Sequence, residues 1–262
     1  MKFTALTIFP ELLQAFWENG IMRRAKAEGI IVPTAIDIRQ YAAGRHKVTD
    51  DRPYGGGCGM VMKPDPLAAA IGAAKAATPA APAILLSPQG RCFDQQLALE
   101  LSRQPGLILI CGRYEGVDER IAEQFVDLEI SIGDFVITGG ELAAMVVMDA
   151  VTRLLPGALG NADSADQDSF KEHRLDCGHY TRPPEFQGRP VPEVLLTGNH
   201  ELIASWRRAD GLMRTLVRRP DLLRVDPLDA QEVALLEKWR HEIDALIRRQ
   251  CDSGPGSPPG GG

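Results

Sequence analysis

The chain has 262 residues, 44% of them hydrophobic and 24% charged, with a net charge of −6. That length holds one large domain or two smaller ones, and the composition is globular rather than disordered or collagenous. No apolar run reaches bilayer length, the opening MKFTALTIFPELL lacks a signal-peptide pattern, and the acidic balance argues against a surface coated by nucleic acid, which leaves a basic footprint. Cys58, Cys92, Cys111, Cys177 and Cys251 have no paired spacing, which speaks against a disulfide framework or zinc site and for a reducing cytosol. Phe3–Phe9 reads as a first strand, and Pro10 suits the first turn of a helix running to Asn19 and stopped by Gly20. A second short helix carries Arg23, Arg24 and Lys26 and ends at Gly29. Ile30–Ile38 is rich in β-formers but interrupted by Pro33, which puts it at a sheet edge. This alternation predicts an α/β fold.

Tyr41–Met62 is long and polar. Its Asp50-Asp51 pair ahead of Gly55-Gly56-Gly57 could be a metal loop, but the spacing fits neither an EF-hand nor a zinc motif, and a surface loop explains it equally well. Asp65–Ala77 is alanine-rich and helical. Three apolar runs then empty into small-residue loops: Ala83–Leu86 into Ser87-Pro88-Gln89-Gly90-Arg91, Leu107–Cys111 into Gly112-Arg113-Tyr114-Glu115-Gly116, and Phe135–Ile137 into Thr138-Gly139-Gly140-Glu141. Leu107–Cys111 is too short for a helix and reads as a strand buried on both faces of a parallel sheet. Helices are expected over Asp94–Arg103, Val117–Phe125 and Glu141–Leu155, the last with Thr138 and Glu141 at capping-box spacing. In that last helix Glu141, Asp149, Thr152 and Arg153 gather on one stripe, and the remaining apolar face is too broad for one-sided packing.

Glycines after strands are ordinarily turns. Ligands of open α/β sheets nevertheless bind at strand carboxyl ends, which makes these loops the candidate site. No G-x-G-x-x-G opens a helix and no G-x-x-x-x-G-K-[ST] occurs, so nucleoside triphosphate and dinucleotide readings lose their main support. A neutral or cationic adenosine-like ligand suits the loops better. From Pro156 to Ser169 the apolar pattern stops. Domain boundaries follow: an α/β domain over 1–160, a linker over 161–175, a helical domain over 176–250 and a disordered tail over 251–262. Asn199–Ala209 and Leu212–Arg218 are expected as two helices, and Asp229–Arg249 begins with a D-x-x-E cap. Arg207, Arg208, Arg214, Arg218 and Arg219 stand close together against one acid, Asp210, which reads either as a solvated helix face or as an RNA surface confined to one end.

The strings LSPQGR, CGRYEGVDER and SIGDFVITGGEL resemble the three cofactor loops of the bacterial tRNA (guanine-37-N1)-methyltransferase family, whose fold is the SPOUT-type knotted parallel-sheet domain followed by a small helical domain. VTDDRPYGGGCGM, DSF at Asp168, LDCGHYTRP and VPEVLLTGNH extend the likeness over roughly residues 1–245. The resemblance implies S-adenosylmethionine as cofactor, with contacts at Leu85, Leu86, Ser87, Pro88 and Gln89, at Gly112, Tyr114 and Glu115, and at Ser131, Ile132, Gly133, Asp134, Phe135, Val136, Ile137, Gly139 and Gly140. It implies a tRNA anticodon loop as partner, rather than DNA or a membrane, contacted by His46, Asp50, Arg52, Asp176, His179, Arg182, Thr197, Asn199 and Arg207. It further implies Mg²⁺ dependence with no ligand set that the sequence identifies, a cytoplasmic location, and a homodimer whose active site is shared between subunits.

Methylating guanine N1 requires removal of its proton and stabilisation of charge building toward O6. The resemblance assigns the first task to Asp168 and the second to Arg153. Taken singly, an aspartate in a polar linker is ordinarily structural or solvated, and an arginine at a helix C-terminus ordinarily answers the helix dipole. The chain departs from the family at Cys58, Phe135, Thr138 and Ala143, where proline, tyrosine, serine and proline are usual. Two other functions stay open: ribose 2′-O-methylation by the same fold, and RNA binding without catalysis.

Overall fold

The computed structural model describes residues 1–159, 169–170 and 173–252. By internal contact the chain divides into two compact units, Met1–Ala165 and Asp166–Gly262. The first is built on β1 (Lys2–Thr7), β2 (Val32–Asp37), β5 (Ala83–Cys92), β6 (Gly106–Cys111) and β7 (Leu128–Ser131), a five-stranded parallel sheet in the order β2-β1-β6-β5-β7. Every residue of β6 is buried, as a continuous apolar run between two neighbours and two helical layers requires. β2 is an edge strand, which tolerates the missing N–H of Pro33.

Helices α1 (Pro10–Trp17), α2 (Gly20–Ala27), α4 (Gln95–Ser102) and α6 (Gly140–Arg153) cover one face, burying Leu13, Trp17, Met22, Leu97, Val147 and Met148. The other face is covered by α3 (Pro64–Ala77) and α5 (Glu119–Phe125) through Leu67, Ile71 and Ile121. From β5 the chain crosses by α4 to β6 on one side, then by α5 to β7 on the other. Reversing direction while keeping one crossover hand moves the helix to the opposite face, as α4 and α5 do here. The carboxyl ends of β5, β6 and β7 therefore flank a topological switch point.

Three local expectations are corrected. Gly20 does not stop α1; with φ of +54° it opens α2, and Asn19 instead donates its side-chain amide to the Ala15 carbonyl at the end of α1. The third strand is Leu128–Ser131, not Phe135–Ile137, which belongs to the loop beyond it. The alternation Leu-Glu-Ile-Ser places Ile130 in the core, whereas Phe135 and Val136 are exposed. Finally, β5 does not end at Leu86. Ile130 pairs with both Leu86 and Arg91, so Ser87–Gly90 bulges out of the ladder. A Cβ on Gly90 would overlap the backbone of Glu129 and Ile130, which is why the bulge can close again. The polar segment before α3 carries a two-stranded ladder of β3 (Asp50–Asp51) and β4 (Val61–Met62).

In the second unit, β8 (Glu185–Phe186) and β9 (Arg189–Pro190) form a hairpin ahead of α7 (His200–Arg218) and α8 (Ala230–Asp252). The two helices expected across Gly211 are one. Gly211 is needed for close approach rather than for a break, since a Cβ there would stand 2.8 Å from the Leu175 carbonyl oxygen. Of the expected linker 161–175, residues 161–168 and 171–172 lie outside the described residues, and its last residues are held within the second unit. Leu175 N donates to Thr215 Oγ1 at 2.9 Å, and Arg174 pairs with Glu232 at 2.8 Å. Helix α8 runs on into Asp252, through the first two residues of the expected tail, and 253–262 lie outside the described residues. Among the described residues no helix is long and apolar enough to cross a membrane.

Candidate active site

A cavity of about 340 Å³ opens at the carboxyl ends of β5, β6 and β7. That is within the range for small-ligand sites. Every expected cofactor contact lines it except Asp134. Leu85–Gln89 come from the β5 bulge, Gly112, Tyr114 and Glu115 follow β6, and Ser131–Gly133, Phe135–Ile137, Gly139 and Gly140 follow β7. Asp134 sits at the apex of a tight turn in which Phe135 N donates to the Gly133 carbonyl at 2.9 Å, and this turn leaves it exposed. Residues not foreseen also line the cavity: Arg113, Gly116, Val117, Glu119, Ala122, Glu129, Ile130, Thr138 and Ala143. Glu129 and Ile130 stand on the strand ahead of the third loop, and Glu119 and Ala122 on α5, where the sequence pattern carries no mark of a ligand.

Main-chain bonds fix the walls. Gly140 N donates to the Gly112 carbonyl at 2.8 Å, and Arg113 and Gly139 form an antiparallel bridge. A Cβ on Gly140 would stand 2.7 Å from Cys111 Cα, so only glycine lets the start of α6 approach the end of β6 this closely. Tyr114 holds a left-handed conformation at φ +62°. The second loop is also tied to the polar segment, since Glu115 N donates to Met60 O at 3.0 Å and Met62 N to Gly116 O at 2.9 Å.

The lining contains Glu115, Glu119 and Glu129 against a single base, Arg113, which is itself paired with Glu141 at 3.0 Å. A cavity of this sign repels phosphates and favours a cation. Glu141 does not form the expected capping box. Gly139 is the N-cap, one residue later than the Thr138 spacing requires, and the Glu141 side chain turns inward, 1% exposed, to accept the Thr7 hydroxyl at 2.7 Å and Arg113 Nε at 3.0 Å. Burial, with the Glu141 charge nearby, pushes the Cys111 thiol well above its ordinary range and keeps it unreactive.

The expected polar stripe of α6 divides in the same way. Glu141 and Thr152 are buried while Leu142 and Val146 are 54% and 46% exposed; Glu141 reaches polar partners inside, whereas the buried Thr152 hydroxyl has none. Arg153 ends α6 half-buried; Asp168 lies outside the described residues.

Among the expected RNA contacts, His46 and Arg52 are exposed and Asp50 is half-buried in β3. In the second unit His179 bonds Asp176 at 2.8 Å, and Arg182 and Arg207 are exposed. Thr197 and Asn199 have structural work: Thr197 Oγ1 donates to Val194 O at 2.8 Å, and Asn199 Oδ1 accepts from Glu201 N and Leu202 N to cap α7. The basic run is less charged than the sequence implied. Arg208 pairs with Asp229 at 2.7 Å, Arg214 with Asp210 at 2.6 Å and Arg219 with Asp221 at 2.7 Å, leaving Arg207 and Arg218 as the exposed cations outside these pairs. Cys58, Cys92, Cys111 and Cys177 are free thiols. Asp176, Cys177 and His179 bring one ligand atom each within 4.8 Å of one another, a grouping the cysteine spacing did not signal.

Fold and cavity together define an α/β protein with a net-acidic cavity at a switch point, of a sign that suits a small cationic ligand. The sequence matches the tRNA (Guanine-1)-methyltransferase TrmD family over residues 1–225, and the chain belongs to that family. A tRNA (guanine-N(1)-)-methyltransferase of Desulfatibacillum aliphaticivorans is 51% identical over 255 residues, covering 97% of each chain. One from Neisseria meningitidis serogroup B is 54% identical over 243 residues, covering 92% of this chain and 98% of its own. The crystal structure of a tRNA (m1G37) methyltransferase from Aquifex aeolicus superposes with a TM-score of 0.69 at 39% identity, covering 87% of this chain and 96% of that one. The fold is accordingly of the SPOUT type, and the chain is a methyltransferase.

Proposed function

We propose that this enzyme transfers a methyl group from S-adenosylmethionine to N1 of guanine 37 in tRNA, in the cytoplasm, as a homodimer. The observation that carries the reading is the net-acidic cavity at the switch point, in a chain that matches this family along most of its length. When bound, the cofactor supplies an electrophilic methyl on a positively charged sulfur. Glu115, Glu119 and Glu129 give that charge a favourable field, and Leu85, Leu86 and Ile137 offer apolar wall. The backbone contact between Gly112 and Gly140, joining the loops after β6 and β7, is where the trefoil crossing of the SPOUT fold would lie.

Asp168 accepts the N1 proton, and Arg153 stabilises charge at O6. Contact with tRNA is assigned to His46, Asp50 and Arg52 in the first unit and, separately, to Asp176, His179, Arg182 and Arg207 in the second. The exposed Leu142 and Val146 on α6, with Phe135 and Val136 beside the cavity, supply an apolar surface for the second subunit. The Asp176–Cys177–His179 grouping, the one convergent set of this kind among the described residues, does not suit Mg²⁺: a thiol and an imidazole are poor partners for a hard cation. No step here runs through Mg²⁺.

The test is transfer of radiolabelled methyl to bulk tRNA followed by nucleoside digestion. Label in 1-methylguanosine is expected; label in a 2′-O-methyl nucleoside, or none, overturns the reading. Asp168→Asn should cut single-turnover rate about 10²–10⁴-fold with cofactor affinity unchanged. Mixing a Gly140→Trp variant with an Asp168→Ala variant should restore about a quarter of wild-type activity, because random exchange makes half the dimers mixed, each with one intact shared site.

A further inference from the structure

The proposed chemistry leaves one buried ion pair beside the cavity unused. Both oxygens of Glu141 are engaged, Oε1 by the Thr7 hydroxyl and Oε2 by Nε and Nη2 of Arg113, each at 3.0 Å. Arg113 in turn donates Nη1 to the Thr138 carbonyl at 3.3 Å and lies 4.4 Å from the centre of the Phe9 ring. The room it occupies exists because residue 139 is glycine: a Cβ there would overlap the Arg113 side chain. One carboxylate at the foot of α6 thus governs an arginine that reaches from the loop after β6 to the loop after β7.

We infer that Glu141 is a positioning residue for cofactor binding, aiming Arg113 so that its guanidinium holds the Thr138–Gly140 turn in the shape of the cavity wall. The inference deepens the function proposed above and rests on it. A buried ion pair adds little stability over an apolar filling, because desolvation offsets attraction. What it adds is direction: a planar guanidinium gripped through two nitrogens cannot swing, and its third nitrogen is left facing the Thr138 carbonyl. Thr7, 0% exposed at the end of β1, fixes the carboxylate from behind.

The experiment is calorimetric titration of the full chain with S-adenosylhomocysteine, alongside steady-state methylation. No binding heat from wild type would bring down the cofactor reading, and this inference with it. Given wild-type binding, Glu141→Gln and Arg113→Lys should each weaken cofactor affinity at least tenfold, raising KM for the methyl donor while KM for tRNA stays within twofold. The double variant should be no weaker than the worse single one, since both act through one contact. Ile71→Ala, in the core under the opposite face, should lower the melting temperature yet leave cofactor affinity within twofold, which separates positioning from general stability. Should Glu141→Gln fail to fold, Arg113→Lys decides alone. A folded Arg113→Lys that binds within twofold of wild type, or additive losses in the double variant, would overturn the inference.

Discussion

Two helices of this chain carry, in their first turn, a glutamate gripped by an arginine, and they use it in opposite ways. At the start of α8, Glu232 takes Arg174 on both oxygens at 2.8 and 3.0 Å, while also accepting Asp229 N at 3.0 Å. Asp229 Oδ1 accepts Glu232 N in return at 2.8 Å, so the capping box closes and the helix satisfies its own end. At the start of α6, Glu141 gives its helix no cap and reaches instead to β1 and to the loop after β6. Both carboxylates sit at the positive end of a helix dipole. The α6 helix, however, begins one residue late, because Gly139 and Gly140 must lie against Arg113 and β6. A helix start that has to build a cavity wall gives up its local cap.

Removing each glutamate separates the two uses most widely. Glu141→Ala should abolish calorimetric cofactor binding and cost about 3–5 kcal/mol in urea unfolding, the usual cost of stranding a buried charge. Glu232→Ala should cost a similar or slightly smaller amount, about 2–4 kcal/mol, with cofactor affinity intact. Equal losses of affinity would erase the distinction. Next in size is Gly140→Ala, whose Cβ would meet Cys111 Cα at 2.7 Å. It should cost about 1–3 kcal/mol by overpacking. At the matching position of α8, Ala230→Gly should cost about 1 kcal/mol or less. Third, Asp229→Ala should cost about 0.5–2 kcal/mol as a lost cap, whereas Thr138→Ala, the same motif position on paper, should stay within about 0.5 kcal/mol in thermal melts.

The smallest effect is one of pH. Arg174 holds the Glu232 carboxyl below its ordinary value near 4.5, against the opposing pull of burial. A depressed folded pKa means the unfolded chain takes up its proton first. The stabilisation is therefore complete above 4.5 and is lost as pH falls from there through the lowered folded value. Glu232→Gln should flatten that part of the acid limb in a stability-against-pH series.

Much of the first unit was legible because parallel strands announce themselves as apolar runs. Leu107–Cys111 became β6, and Pro33 marked the edge. Where a glycine served tertiary contact rather than local conformation, the reading failed: Gly211 reads as a break but allows α7 to pass Leu175. The cavity loops were legible as glycine-bearing turns, yet the charge within them was not. Arg113 and Glu129 meet the cavity only after the sheet is assembled, and Glu141 turned inward because Thr7, distant in sequence, was waiting there. Polarity in a linear pattern shows which residues need partners, not where those partners lie.

The order of strands also sets a schedule for synthesis. β1 is made first, yet its partner on the inner side is β6, with Lys2 opposite Gly106 and Leu6 opposite Ile110. A nascent chain growing at about 5–20 residues per second must therefore wait roughly 5–20 s after β1 emerges before its inner edge can be paired. Through that interval β1 pairs with β2 alone, α3 arrives to cover one face through Leu67 and Ile71, and the face covered by α6 stays open until residues 140–153 are made. The middle of the sheet thus closes late, when β6 enters between β1 and β5.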